Sequence, residues 1–105
     1  MAQFSEDVRG DGLCVVRPEG ELDLAAVEEF IGIVRGSMDR CTSVEIDLGA
    51  ITFIDSSGLG ALVRLRKEAE AKDASMYLTK VNTATDRLLR ITGLIDFFDI
   101  RTSQP

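Results

Sequence analysis

The sequence contains no histidine. That absence removes every Ser-His-Asp or Cys-His nucleophile pairing from within the chain. It equally removes His-ligated zinc and haem sites. Acid–base chemistry near neutral pH would fall to a carboxylate, Lys, Cys or Tyr with a shifted pKa. Basic charge is in deficit as well: 12 Lys and Arg stand against 18 Asp and Glu, a formal net charge of −6. Nucleic acid and anionic lipid need a basic face. The one tight basic cluster, Arg64, Arg66 and Lys67, is diluted by Glu68 and Glu70 and reads as a solvated helix face. Neither nucleic acid nor a membrane is therefore expected as a partner. The longest uncharged run, Ser56 to Val63, carries Ser and Gly and falls far short of a membrane span. The N-terminal Met-Ala-Gln-Phe-Ser-Glu-Asp is acidic, without a signal-peptide apolar segment, so a cytoplasmic location is expected.

Cysteine is scarce, with only Cys14 and Cys41. Two cysteines make neither a disulfide framework nor a complete metal site, and no metal or cofactor is expected. Cys14, inside Leu13-Cys14-Val15-Val16, reads as a packed small hydrophobe. Cys41 lies between Arg40 and Thr42 in an expected loop, where the cation favours its thiolate. A bond between the two is left open.

What the sequence does have is enough apolar material for a core. At 105 residues, 45% apolar and 29% charged, residues 1–105 form a single domain. A chain of this size buries roughly 60–70% of its unfolded surface. Residues 1–11 are polar and Gly-punctuated, and loose order is expected there. Leu13 to Arg17 reads as a strand, Pro18-Glu19-Gly20 as a turn, and Glu21-Leu22 as the start of a second strand, together a hairpin. Asp23 stands where an N-cap belongs, before apolar residues at Leu24, Val27, Phe30, Ile31, Val34 and Met38. Gly32 and Gly36 interrupt that helix, and close packing against the sheet is the reading given to them.

Val44, Ile46 and Leu48 alternate with Ser43, Glu45 and Asp47, as Met76 and Leu78 do with Ser75, Tyr77 and Thr79. Each is a strand with one wet face. A second helix from Ser57 to Lys72 turns Leu59, Leu62, Val63, Leu65 and Ala69 inward. A third follows Asn82 or Thr83, with Leu88, Leu89 and Ile91 inward and a Gly93-Leu94 stop. Phe97 to Arg101 supplies a last strand. The order β-β-α-β-α-β-α-β predicts an α/β fold: a mixed, mostly parallel sheet of four to five strands, an N-terminal antiparallel hairpin, and helices mainly on one face.

The informative stretch is Ile51-Thr52-Phe53-Ile54-Asp55-Ser56-Ser57-Gly58-Leu59-Gly60. An apolar run stops at Asp-Ser-Ser-Gly and an amphipathic helix begins. Free N–H groups and the positive dipole end gather at such a place and accommodate a phosphate. Taken alone the string is an N-cap followed by two packing glycines. It lacks the Lys of a P-loop and the G-x-S-x-G of a nucleophile elbow.

In its wider context, Val44 to Leu62 resembles the signature of the STAS domain family, and within it the bacterial anti-sigma factor antagonists. Gly20-Glu21-Leu22-Asp23, and Thr92-Gly93-Leu94 with Phe97-Phe98, resemble further parts of that pattern. The resemblance spans roughly Leu13 to Ile100. It implies a STAS-like fold and a regulatory, non-catalytic protein. Such proteins bind an anti-sigma factor that is itself a serine/threonine kinase, free the sigma factor, and are reset by a PP2C-type phosphatase. By motif the phosphoacceptor is Ser56. Asp23 matches a loop aspartate near the acceptor, and Asp55, Ser57, Gly58 and Leu59 match the partner-facing helix start. The alternative is a STAS subunit of a lipid-transport ABC complex, or a signalling scaffold, without a phospho-switch. An enzyme built from Asp23, Asp55 and Ser56 alone is disfavoured.

Overall fold

The structure is a computed structural model, and it describes residues 2–102; Met1 and residues 103–105, the ends of the single-domain reading, lie outside the described residues. The elements are β1 (Gln3–Val8), β2 (Leu13–Leu22), α1 (Val27–Arg40), β3 (Ser43–Asp47) and β4 (Ala50–Ile54). They continue with α2 (Ser56–Ala71), β5 (Ser75–Thr79), α3 (Thr83–Ile91) and β6 (Ile100–Arg101). The sheet has six strands, one beyond the expected range: β1 and β4 are strands that were not expected, while the two short strands expected on either side of Pro18 are one, β2.

Strand β2 organises the sheet. On one side it pairs antiparallel with β1, from Gln3↔Glu19 to Val8↔Cys14. On the other it pairs parallel with β3 through Leu13–Val16, then parallel with β4 through Glu19–Leu22. Strand β3 pairs parallel with β5, and β5 with β6.

The antiparallel hairpin is thus present but sits earlier than expected. Pro18-Glu19-Gly20 does not turn the chain; β2 runs through it. Pro18 falls in the gap between the two partners on the second side, where a missing N–H is tolerated. Gly20 takes φ 91° at a register shift in the β2–β4 ladder, a conformation that suits glycine.

The expectation of loose order is also corrected for residues 3–8. They form an edge strand because two of its side chains reach α1. Phe4 stacks on Phe30 with ring centroids 6.0 Å apart. The Glu6 carboxylate accepts hydrogen bonds from the Ser37 hydroxyl and the Arg40 guanidinium.

The apolar sides of the period-two strands behave as read, but Asp47 and Thr79, assigned to the wet side, are buried at 6% and 3%. Cys14, Val16, Val44, Ile46, Met76 and Leu78 are buried toward the helices, together with Phe30, Val34, Leu62 and Leu65. On the other face Glu45 accepts from Thr79 (2.8 Å) and Tyr77 (3.4 Å), and Arg101 lies 3.9 Å over the Tyr77 ring. Burial raises the Tyr77 phenol pKa, and the Glu45 charge adds to the effect.

The helices differ from the reading at their margins. Helix α1 begins at Val27 with Ala26 as its N-cap residue, so neither Asp23 nor Leu24 belongs to it. Leu24 is 73% exposed, and Ile91, assigned inward on α3, is 75% exposed. Gly32 has open space around it rather than a close-packed neighbour, and Gly36 has only the Arg40 side chain nearby. Arg35 bridges α1 to α2 by two hydrogen bonds to Glu68, at 2.8 and 2.7 Å. These bonds hold the Glu68 carboxyl below its ordinary pKa, while Arg35 is raised by the same contact.

Two expectations follow. Ile46→Asp places an unpaired charge in the middle of the covered face and should cost roughly 4 kcal/mol or more, enough to abolish a cooperative thermal transition. Because Glu68 is depressed in the folded state, its pairing contributes above the unfolded carboxyl pKa and fades as pH falls through the folded value. Arg35→Gln should therefore melt below wild type at neutral pH, with the gap closing below about pH 4 in a pH series of melting curves.

Candidate functional site

The site lies where β2 and β4 end side by side. Leu22 pairs with Ile54, and the Asp55 N–H donates to the Leu22 carbonyl at 3.4 Å. The chain then leaves β2 through Asp23 and leaves β4 into α2. The two segments singled out in the sequence, Gly20–Asp23 and Asp55–Leu59, are thereby brought to one end of the sheet, although more than 30 residues separate them.

Asp55 is the N-cap of α2. Its backbone is extended, and one carboxylate oxygen accepts from the N–H groups of Ser57 (2.9 Å) and Gly58 (3.0 Å). Two of the helix's unpaired N–H donors are consequently taken, and the Leu59 N–H is returned to the Asp55 carbonyl at 3.0 Å. This revises the expectation of several free N–H groups waiting for an anion. The dipole end remains, but two of its donors, the Ser57 and Gly58 N–H groups, already serve a carboxylate.

Ser56 is the first residue of α2 and is exposed. Ser57 and Asp23 are half-buried. Gly58 and Leu59 are buried, as the inward reading of Leu59 and the packing reading of Gly58 expect, and they set the position of the helix start that the resemblance makes partner-facing. The reason at Gly58 is steric. A Cβ there would come within 2.3 Å of the Leu22 carbonyl oxygen and 2.9 Å of the Ile54 side chain.

Asp23 is not a cap. The N-terminus of α1 carries no side-chain cap, and the Asp23 carbonyl instead closes a turn by accepting from Ala26 N–H at 2.9 Å.

Two apolar side chains at this end of the sheet were missed: Leu24, just past β2, and Phe53, 52% exposed near the end of β4. Leu24 was misread because its spacing fits the α1 periodicity. Phe53 lies in an apolar run that carries no period of its own to say which side chains face outward. Only the pairing of Glu21 with Phe53 locates it beside the β2 terminus.

The other concavities carry no catalytic constellation. A polar hollow of about 470 Å³ on the open sheet face holds Glu45, Asp47, Tyr77, Lys80 and Arg101, largely paired among themselves. Among the described residues no group of three or more His, Cys, Asp or Glu is arranged to hold a metal ion, and no helix is long and apolar enough to cross a membrane.

A mixed sheet with a capped serine at the mouth of its second helix defines a class, and comparison with known proteins agrees. The chain matches the STAS domain over residues 4–104, and it belongs to that family. It is 30% identical over 96 residues to the anti-sigma-B factor antagonist of Staphylococcus epidermidis, covering 90% of this chain and 89% of that protein. An anti-sigma factor antagonist from Mycobacterium paratuberculosis superposes with a TM-score of 0.84 at 25% identity, covering 95% of this chain and 85% of that one. The Bacillus cell fate determinant SpoIIAA, solved in its phosphorylated form, gives 0.77 at 22% identity, covering 97% and 92%.

The geometry yields a graded stability series in chemical denaturation. Asp55→Ala loses the cap and should cost ~0.5–2 kcal/mol. Asp23→Ala removes no cap and should stay within ~0.5 kcal/mol of wild type. Gly58→Ala must push α2 away from Leu22 and should be the most destabilising of the three.

Proposed function

We propose that this chain is an anti-sigma factor antagonist: a regulatory binding protein, not an enzyme, acting in the cytoplasm as one STAS domain. It binds an anti-sigma factor that is a serine/threonine kinase and so frees the sigma factor. Phosphorylation of Ser56 switches it off, and a PP2C-type phosphatase restores it. The observation that carries this reading is the exposed Ser56 at the first position of α2, directly after a capping aspartate, on the sheet end that also exposes Leu24 and Phe53. Its relatives support it, since they bear the name of anti-sigma-B factor antagonist, and SpoIIAA is known in a phosphorylated form.

The switch follows from charge. The unmodified docking surface joins Ser56, Ser57, Asp23 and Asp55 to the two apolar side chains. Aromatic and aliphatic groups of this kind anchor an interface, with polar groups at its rim. The kinase transfers the terminal phosphoryl group of ATP to the Ser56 hydroxyl oxygen, releasing ADP, and the hydroxyl proton passes to a base of the kinase. The product carries about −1.5 to −2 charges where there were none. The Asp55 carboxylate is held in place next to it by Ser57 and Gly58. Like charge and the cost of burying it weaken docking, and each ~1.4 kcal/mol lost is tenfold in affinity. The fold itself is spared, because Ser56 is exposed and the helix N-terminus tolerates negative charge.

Incubation with the cognate kinase and ATP should add one phosphate, mapped by mass spectrometry to Ser56. Ser56→Ala should fold, bind the kinase and stay unmodified. Ser56→Asp should fold and bind at least tenfold more weakly, although one carboxylate carries less charge than a phosphate. Asp23→Ala should alter the rate of phosphorylation at unchanged stability. A phosphate found on Ser57 or Thr52 with Ser56 bare would overturn the assignment. No phosphate with any cognate kinase would favour a STAS subunit of a transport complex or a scaffold.

A further inference from the structure

The disulfide between Cys14 and Cys41 takes no part in the switch described above. It joins the start of β2 to the residue that ends α1, across 27 positions of sequence, with the two Cα atoms 5.9 Å apart. Both residues belong to the core: Cys14 is 0% exposed and Cys41 6%. The parallel pairing of Cys14 with Val44 and the helix end at Cys41 place the sulfurs together without any loop being stretched. The small apolar character that made Cys14 look like a filler residue holds in either state, although the two thiols must move apart from bonded to van der Waals contact when the bond is broken.

We infer that Cys14 and Cys41 form a reversible redox couple that sets the stability of this domain, and hence its lifetime, without altering the Ser56 surface. A covalent link closing a loop of this length removes conformational freedom from the unfolded chain. The oxidised form is therefore the more stable one. Reduction proceeds by thiol–disulfide exchange with a small thiol such as glutathione. Its thiolate attacks Cys41 Sγ, in the less buried residue of the pair; the S–S bond breaks, and Cys14 leaves as a thiolate that takes up a proton. A second thiolate attacks the glutathione sulfur of the mixed disulfide, releasing glutathione disulfide and the Cys41 thiolate, which is protonated in turn. Two electrons pass from two small thiols to the protein, and the reverse sequence restores the bond.

The location confines the effect to stability. Cys14 lies at the opposite end of β2 from Leu22, about 26 Å along the strand at ~3.3 Å per residue. The contacts that fix the serine are the Asp55 cap and the β2–β4 pairing, and neither touches a cysteine. Loss of the bond instead releases the junction of α1 with β2, where Cys14 also faces the Ser37 carbonyl.

The test measures the melting temperature of the purified full chain in the oxidised state, after dithiothreitol, and after reoxidation with glutathione disulfide. Thiol content is followed by maleimide labelling, and Cys41→Ala serves as control. The midpoint should fall by ~10–20 °C on reduction and return on reoxidation, while Cys41→Ala melts near the reduced value in all three conditions. Glutathione mixtures should titrate the folded protein through a single two-electron transition. Affinity for the partner should be the same for both states below their melting range. Equal melting of the oxidised and reduced wild type would overturn the inference. So would a bond that glutathione cannot reduce in the folded protein, or a several-fold change in partner affinity on reduction.

Discussion

The close approach of α2 to the end of β2 is the constraint on which the site depends. Gly58 packs against the Leu22 carbonyl so tightly that no side chain fits between them. That contact fixes the first turn of α2 over the β2–β4 pair, and the Asp55 N–H to Leu22 carbonyl bond completes the junction. Everything exposed there, from Ser56 to Phe53, takes its position from a packing contact made underneath it. A regulatory surface that must survive the addition of two charges benefits from such a base, because the modification alters the outer layer and leaves the inner one intact.

The electrostatics of the same corner explain how a small modification can act strongly. Asp55 already occupies the donors that an anion would otherwise claim, so a phosphate on Ser56 gains little from them and meets a fixed carboxylate instead. The overall charge of −6 works in the same direction for an acidic partner and against it for a basic one. The proposed switch therefore lies at a different depth from the interactions that hold the helix. The cap and glycine contact hold the helix, while the hydroxyl and its apolar neighbours face outward.

A second separation runs along β2. One end of the strand carries the disulfide and the junction with α1; the other carries the serine site. Strand β2 reaches both by changing partner from β3 to β4 midway, and α1 runs alongside from the neighbourhood of Ser57 to Cys41. The proline and glycine at that change mark the only irregular part of its pairing. The disulfide and the proposed partner surface thus lie at opposite ends of one element.

The sequence by itself determined the strand faces, the existence of three helices and the identity of the Asp-Ser-Ser-Gly helix start. Each of these rests on a local signal: period two, period three to four, or a capping residue beside a glycine. It misplaced what depends on distant neighbours. Residues 3–8 look like a polar tail until Phe30, Ser37 and Arg40 supply partners for Phe4 and Glu6. Pro18 and Gly20 are turn residues by type, yet β1 along one side, and β3 followed by β4 along the other, keep the strand running through them. Leu24 fits a helical period and still lies outside the helix. Only the tertiary structure decided that Cys14 meets Cys41, that Gly58 closes on the Leu22 carbonyl in particular, and that Leu24 and Phe53 stand exposed on the sheet end that carries Ser56. Periodicity reports which face a residue takes within its own element, whereas these outcomes depend on which other element is packed against that face.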